Sequence, residues 1–156
     1  MTIVDANVLL YAVNASSPQH TAAKAWLDDN LSGDARLGLP WISLLAFLRI
    51  ATHPTVFPRP LTVAQALEVV DVWCRAPNVV HPEPGRGFAA MLAGTMRSGA
   101  APGNLVNDAY LAALATQHDA AVATFDRDFA RFPEVPTVVP GVSRERGPMA
   151  PTQPAP

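Results

Sequence analysis

The sequence is poor in residues that several functional classes require. Cys74 is the only cysteine, so the chain can form no internal disulfide and offers no cysteine cluster for zinc. Lys24 is the only lysine, and the net charge of −2 differs from the strongly basic balance typical of nucleic-acid-binding domains. No glycine-rich phosphate loop follows the first apolar segment, which disfavours a bound nucleotide cofactor.

Long apolar segments are also missing. The longest uncharged apolar stretch covers residues 37–48, is interrupted by Pro40 and is too short to span a bilayer. The 156 residues, 49% hydrophobic and 15% charged, fit one compact domain with a substantial core. We therefore expect a protein without a membrane span, and the use of cysteine fits the reducing cytoplasm.

Short apolar segments alternate with segments of helical periodicity. Strands are predicted at residues 2–4, 36–39, 78–81, 120–125 and 136–140. Helices are predicted at residues 7–13, from Ser17 to about residue 31, and at residues 41–52, 61–77, 85–99 and 105–118. Thr62 and Gln65 have the spacing of a capping box. This alternation predicts an α/β fold, with a parallel sheet covered by helices on both faces.

Three aspartates fall at one edge of the predicted sheet. Asp5 follows the first strand, Asp126 follows the strand at 120–125, and Asp108 lies near the start of the helix at 105–118. The carboxyl ends of parallel strands meet at one edge, where ligands of open α/β sheets bind. Gathered carboxylates raise one another's pKa and need a counter-charge, which a hard cation such as Mg²⁺ supplies. The sequence therefore predicts a metal site there.

Each acid taken alone also has a simpler interpretation. Asp5 and Asn7 are both preferred residues for capping the first helix. Asp108 would be favoured in a first helical turn by the helix dipole. Asp126 and Asp128 suit a turn that precedes a short helix. Only the joint placement of these acids at one sheet edge favours the metal site.

Three motifs in order resemble one family. The segments "IVDANVLLYA", "GNLVNDAYLAALA" and "VATFDRDFARFP" are similar to motifs of PIN-domain proteins, and more narrowly of the VapC toxins of bacterial toxin–antitoxin pairs. The segment "LPWISLLAFLRIATHP" resembles one VapC subgroup. The resemblance covers residues 1–140, which we predict to be a single PIN-like nuclease domain. The proline-rich residues 141–156 are predicted to be a disordered tail.

The resemblance implies a three-layer α/β/α sandwich with a mostly parallel central sheet. It implies an endoribonuclease that depends on Mg²⁺ or Mn²⁺, hydrolyses structured RNA such as tRNA or rRNA through a metal-activated water, and forms a homodimer. A VapB-like antitoxin would block the enzyme by laying its C-terminal segment across the acidic groove. The metal-binding and catalytic acids of the family map onto Asp5, Asp108 and Asp126.

Further residues are candidates for supporting roles. Asn7 matches the polar residue of the first motif, Thr124 the hydroxyl before the third acid, and Asp128 is a possible fourth acid. Arg49 and Arg127 are candidate RNA contacts, although Arg49 could equally pair with an acid. Trp41 and Trp73 are interpreted as packing residues.

One position departs from the family pattern. Most PIN nucleases carry a further glutamate on the helix after the second strand, and Ala46 stands there. This leaves open a catalytically weak PIN-like module that acts by binding an antitoxin or RNA. A phosphatase with a nucleophilic Asp5 is a third possibility, but Asn7 stands where that class needs an acid–base aspartate.

Overall fold

Short parallel strands, five of them in the part of the chain that the structure describes, form the centre of the fold. The computed structural model describes residues 1–56, 59–99 and 103–142. The strands are β1 (Thr2–Val4), β2 (Leu37–Gly38), β3 (Val79–Val80), β4 (Ala121–Ala123) and β5 (Thr137–Val138). They lie in the order β3-β2-β1-β4-β5, and every pairing among them is parallel. The predicted α/β class is therefore confirmed, with β1 at the centre of the sheet and β5 at one edge.

In the described residues, six α-helices connect and flank the strands. They are α1 (Ala6–Val13), α2 (His20–Ser32), α3 (Trp41–Ala51), α4 (Val63–Cys74), α5 (Phe88–Ser98) and α6 (Val106–Gln117). Two 3₁₀ helices, at Gly103–Leu105 and Arg127–Arg131, lie before α6 and after β4. Within the described ranges, none of the helices is both long and apolar enough to cross a bilayer.

Alternate strand residues face two separate cores. Ile3 and Val122 contribute to one core, whereas their neighbours Val4 and Ala123 contribute to the other. This alternation follows from the two-residue repeat of a strand, which turns successive side chains to opposite faces. Because both faces are apolar and both are covered by helices, the predicted three-layer α/β/α sandwich is confirmed.

The two helical layers differ in composition. Helices α1 to α4 cover one face, where Phe47 and Trp73 pack edge to face with ring centroids 4.9 Å apart. Helices α5 and α6 cover the other face, and the side of α6 that meets the sheet is built largely from alanine and leucine. Trp73 is thus a packing residue as predicted, and Cys74 is partly buried beside the same core.

The structure corrects the start of one predicted helix and leaves the predicted tail untested. Helix α2 begins at His20 and not at Ser17, because the Ser17 hydroxyl accepts the N–H of Gln19 and closes a turn before the helix. Most of the predicted tail, residues 143–156, lies outside the described residues. The domain boundary at residue 140 therefore stays a prediction.

The capping box of α4 gives a test of local stability. The Thr62 hydroxyl accepts the N–H of Gln65, and the Gln65 side chain accepts the N–H of Thr62. We expect Thr62→Ala to lower the free energy of unfolding by about 1 kcal/mol. Urea denaturation measures this loss, and Thr62→Ser, which keeps the hydroxyl, is the control. Equal losses in both variants would contradict the assignment.

Candidate active site

The residues that follow β1 and β4 are neighbours across the carboxyl edge of the sheet. Val4 pairs with Ala123, and the Asp5 N–H then donates to the Ala123 carbonyl at 3.0 Å. The pairing therefore extends one residue past β1. It places the side chains of Asp5 and Thr124 side by side, although 119 positions separate them in the sequence.

Asp5, Asn7 and Thr124 form a closed triangle of hydrogen bonds. The Thr124 hydroxyl donates to Asp5 Oδ2 at 2.7 Å, and Asn7 Nδ2 donates to the same oxygen at 2.6 Å. Asn7 Nδ2 also reaches Thr124 Oγ1 at 3.0 Å. Two donors thus converge on one carboxylate oxygen, which favours the ionised form of a side chain that is only 8% exposed.

The triangle also fixes the start of the segment after β4. Thr124 Oγ1 accepts the N–H of Asp126 at 2.9 Å, and Asn7 Oδ1 accepts the N–H of Phe125 at 3.1 Å. Every side-chain polar atom of Asn7 and Thr124 is therefore used to join the ends of the two strands. Both residues position Asp5 and the backbone of the segment after β4 through these hydrogen bonds, and their supporting role in a metal site stays a prediction.

The alternative in which Asp5 and Asn7 cap the first helix is correct for the position of Asp5 and wrong for Asn7. Asp5 occupies the N-cap position of α1, but its side chain makes no capping hydrogen bond. Asn7 lies inside the helix, and its amide is directed to Asp5 and to the β4 end. The physical reason is that the buried Asp5 carboxylate competes for donors and receives the hydroxyl of Thr124 and the amide of Asn7.

Burial opposes the charge on Asp5. Loss of hydration raises its pKa above 3.8, and the charge of Asp126 raises it further. The hydrogen bond from Thr124, together with the backbone amides of Ala6 and Asn7, lowers the pKa in part. Burial of Asp5 therefore costs folding free energy if the side chain is ionised, and the hydrogen bonds to its carboxylate offset part of that cost.

Asp108 is the acid whose pKa is raised by the charges of the other acids. It lies in the first turn of α6 and is partly buried. Burial, as the largest cause, and the charges of Asp5, Asp126 and Asp128 together raise its pKa to about 6. The charges of the two other predicted acids and of Asp128 therefore all act on Asp108 and disfavour its ionised form.

Asp126 and Asp128 also have the local roles that the simpler interpretation gave them. Both are exposed, and Asp126 Oδ1 accepts the N–H of Asp128 at 2.8 Å at the start of the 3₁₀ helix Arg127–Arg131. Asp128 also pairs with Arg131 at 3.6 Å, an exposed contact of small energetic value. Capping and participation in the acidic cluster are therefore compatible for these two residues.

The two candidate RNA-binding arginines are placed differently. Arg127 lines a hollow of about 440 Å³ together with Asn7 and Asp126, next to the acids. Arg49 is exposed near the end of α3, beside Ile50, His53 and Val56. Among the described residues Arg49 forms neither an ion pair nor a hydrogen bond with an acid, so its RNA contact stays a prediction.

Trp41 is a surface residue that the sequence interpretation placed wrongly. It is 47% exposed, and its ring stacks on His81 with centroids 5.8 Å apart and an interplanar angle of 30°. His81 follows β3, and its Nδ1 lies 2.8 Å from the Leu39 carbonyl. Trp41 begins α3 directly after Pro40, and this position at a strand-to-helix junction was the signal that could have predicted exposure.

The donor chemistry of the cluster fits a hard divalent cation. In the described part of the chain, no three His, Cys, Asp or Glu side chains stand together as ready ligands of one ion. Mg²⁺ usually binds through one or two carboxylates and completes its shell with water and phosphate oxygens. Carboxylates that raise one another's pKa can supply the negative charge that Mg²⁺ requires. Asp5, Asp108 and Asp126 remain the predicted ligands.

Comparison with known proteins gives the family. A family model for the PIN domain matches residues 2–135. This chain belongs to the PIN-domain family. Among PIN proteins it is similar to Ribonuclease VapC37 of Mycobacterium tuberculosis, with 48% identity over 132 residues that cover 85% of this chain and 92% of the relative. Ribonuclease VapC33 of the same organism is 38% identical over 135 residues, covering 86% and 94%.

Solved structures of PIN proteins share the fold. A structure of VapBC-1 from nontypeable Haemophilus influenzae superposes with a TM-score of 0.61 and 17% identity, covering 88% of this chain and 96% of that one. A structure of FitAB bound to IR36 DNA gives a TM-score of 0.60 and 20% identity, covering 94% and 99%. The predicted PIN-like fold and VapC resemblance are confirmed.

The hydroxyl of Thr124 can be tested for its role in holding the PIN site together. Thr124→Val keeps the shape but removes one of the two side-chain donors to the buried Asp5 Oδ2, and it leaves the N–H of Asp126 without its acceptor. We expect a loss of about 1–3 kcal/mol in the free energy of unfolding, measured by urea denaturation. Thr124→Ser restores the donor and should recover most of the loss. A Val variant as stable as the wild type would refute the network.

The raised pKa of Asp108 predicts a pH-dependent gain in stability for Asp108→Asn. Because the pKa rises from 3.8 to about 6 on folding, ionising Asp108 costs stability. The cost is absent below pH 3.8 and complete above about 6. In EDTA, the variant should therefore melt at a higher temperature than the wild type at about pH 8, and the difference should shrink towards about pH 4.

Asp34→Asn is the matched control for this measurement. Asp34 is an exposed acid in the turn between α2 and β2, remote from the cluster. A stability difference that grows equally with pH in both variants would show that Asp108 carries no special electrostatic cost.

Proposed function

We propose that this protein is a metal-dependent endoribonuclease and the toxin of a VapBC-type toxin–antitoxin pair. The observation that carries the proposal is the hydrogen-bonded network of Asp5, Asn7 and Thr124, which holds Asp5 and the N–H of Asp126 on the carboxyl edge of a PIN-domain sheet. The charges of Asp5, Asp126 and Asp128 also raise the pKa of Asp108. The names of the relatives, Ribonuclease VapC37 and Ribonuclease VapC33, support the same activity. An acidic cluster of this kind has no role in packing, since it costs folding energy.

Asp5, Asp108 and Asp126 would hold Mg²⁺ or Mn²⁺. Such a cation neutralises the carboxylates, activates a water molecule and stabilises charge on the phosphodiester. Asn7 and Thr124 keep Asp5 oriented through the hydrogen bonds to its Oδ2. The backbone N–H of Asp126 donates to Thr124 Oγ1. Asp5 and Asp126 therefore both form a hydrogen bond with the same hydroxyl.

The substrate we propose is structured RNA of the tRNA or rRNA class. The net charge of −2 provides no general attraction for a polyanion. Attraction must then come from the bound cation and from cations beside the acids. Arg127 lies in the hollow next to Asp126 and fits this role. Arg49 is exposed in the last turn of α3 and is a second candidate for this role.

We further propose a VapB-like antitoxin as partner and a homodimer as the assembled toxin. Large apolar side chains are exposed on α3 and α4, including Leu45, Leu67 and Val72 at 59%, 51% and 61%. Exposed apolar residues of this size favour protein–protein contacts over open solvent. The antitoxin's C-terminal segment would cross the acidic groove, where an Arg or Lys side chain could replace the cation.

RNA cleavage by antitoxin-free protein tests the activity. We expect total RNA to be cut in Mg²⁺ or Mn²⁺ and left intact in EDTA. Asp108→Asn should lose at least about a hundredfold in rate, because even groups that only orient a metal ligand contribute about 10- to 100-fold. Asp34→Asn should cut like the wild type. Cleavage that survives in EDTA, or in Asp108→Asn, would contradict the proposal.

A second candidate function is a PIN-like module that acts by binding alone. The observation in its favour is that α3, with Ala46 at the position of the usual glutamate, contains no acid at all. A folded wild-type protein that cuts no RNA, yet slows growth as strongly as its Asp5→Ala variant, would favour this candidate. Ala46→Glu would then be the first substitution expected to restore cleavage.

A further inference from the structure

A hollow beside the acidic cluster combines aromatic rings with an arginine. Its volume is about 440 Å³, and it is lined by Asn7, Tyr11, Phe125, Asp126 and Arg127. Small-molecule sites in proteins occupy about 300–1,000 Å³, so the space is large enough for one nucleotide unit. Two of its lining residues, Asn7 and Asp126, belong to the hydrogen-bond network of the acids.

The two rings of the hollow are fixed relative to the acids. Tyr11 and Phe125 meet edge to face with centroids 5.4 Å apart and planes at 69°, and both side chains are partly exposed. Tyr11 lies one helical turn after Asn7 and therefore on the same side of α1. The N–H of Phe125 is held by Asn7 Oδ1 at 3.1 Å. The same amide thus positions both an acid and a ring.

Arg127 supplies a positive charge at the mouth of the hollow. It is exposed, and among the described residues its guanidinium forms no ion pair. Its neighbour Arg131, by contrast, pairs with Asp128. A free guanidinium next to a cluster of acids, and not bonded to them, is available for an anionic group such as a phosphate.

We propose that this hollow binds one unpaired nucleobase of the RNA, with the base against Tyr11 and Phe125 and a neighbouring phosphate on Arg127. The inference rests on the proposed ribonuclease function, since it names the part of the RNA that lies beside the bond to be cut. A base in a helix is stacked on its neighbours and cannot enter such a space. The substrate must therefore be single-stranded where it meets the site.

The composition of the hollow favours RNA over a peptide segment as its occupant. Every base has a face that stacks on aromatic rings, and each nucleotide unit carries the phosphate that Arg127 would contact. A peptide in the hollow would need a cationic side chain to neutralise the acids, and Arg127 would repel that side chain. A nucleotide places its anionic part on the arginine and its apolar part on the rings.

RNA binding in an Asp108→Asn background, which prevents cleavage, tests the proposal. Labelled probes are a short single-stranded RNA pool of random sequence, the same RNA as a duplex, and an abasic oligomer with the same number of phosphates. Phe125→Leu retains apolar volume but removes the stacking face, and we expect it to weaken binding of the single-stranded pool about tenfold. Phe125→Tyr keeps a ring and should bind like the parent.

The probes separate the base from the phosphate. Phe125→Leu should leave binding of the abasic oligomer and the duplex unchanged, whereas Arg127→Gln should weaken all three probes and reduce the salt dependence of binding. Thermal melting of each variant shows whether the fold is retained. If Phe125→Leu unfolds, Tyr11→Leu, compared with Tyr11→Phe, provides the same contrast from the opposite ring.

Two results would overturn the proposal. One is single-stranded RNA binding that is unchanged in folded Phe125→Leu and Tyr11→Leu, or absent in the parent. The other is an unchanged RNA affinity with a lost affinity for the antitoxin, which would make the hollow a protein interface. Because binding is measured without cleavage, ring-dependent binding by a protein that cuts no RNA would refute the proposed activity and leave the nucleobase site standing.

Discussion

The hydrogen bonds that converge on Oδ2 of Asp5 are the contacts on which the site depends. A carboxylate that is 8% exposed must be compensated, and Thr124 and Asn7 each supply a donor within 2.7 Å. The same two side chains hold the amides of Phe125 and Asp126. One small network therefore joins β1, α1 and the segment after β4, and it places two acids at one edge of the sheet.

Asp108, the third predicted acid, makes the carboxyl edge of the sheet electrostatically unfavourable. Asp108 approaches from the first turn of α6, where burial and three like charges raise its pKa to about 6. Packing alone gives no reason to place four carboxylates together, since removal of one would relieve repulsion. Such a cost is typical of sites that are selected for chemistry. This is the physical ground for proposing a cation site in this member of the PIN-domain family.

The groups beside the acids are as informative as the acids themselves. The rings of Tyr11 and Phe125 and the free guanidinium of Arg127 form one side of the same edge. On the β2 and β3 side, the exposed ring of Trp41 stacks on the partly buried ring of His81. In the nuclease that we propose, the acids would provide the chemistry, and aromatic and cationic neighbours would determine which RNA conformation reaches them.

The sequence by itself determined the order and type of the elements and the acids that follow them. Alternating periodicity predicted a parallel sheet with two helical layers, and the rule that ligands bind at carboxyl ends of strands selected Asp5, Asp108 and Asp126. Local patterns also predicted the capping box at Thr62. These features depend on short-range periodicity and on residue chemistry, which can be deduced from the chain without knowing its neighbours in space.

Only the tertiary structure decided what each polar side chain does. The sequence allowed Asn7 to cap a helix, but the fold directs its amide across 118 positions to Phe125. It interpreted Trp41 as a packing residue, but the strand-to-helix junction leaves that ring half exposed. It could not relate Tyr11 to Phe125 at all. Hydrogen-bond partners and exposure depend on which distant segments become adjacent, and that adjacency is set by the register of β1 against β4.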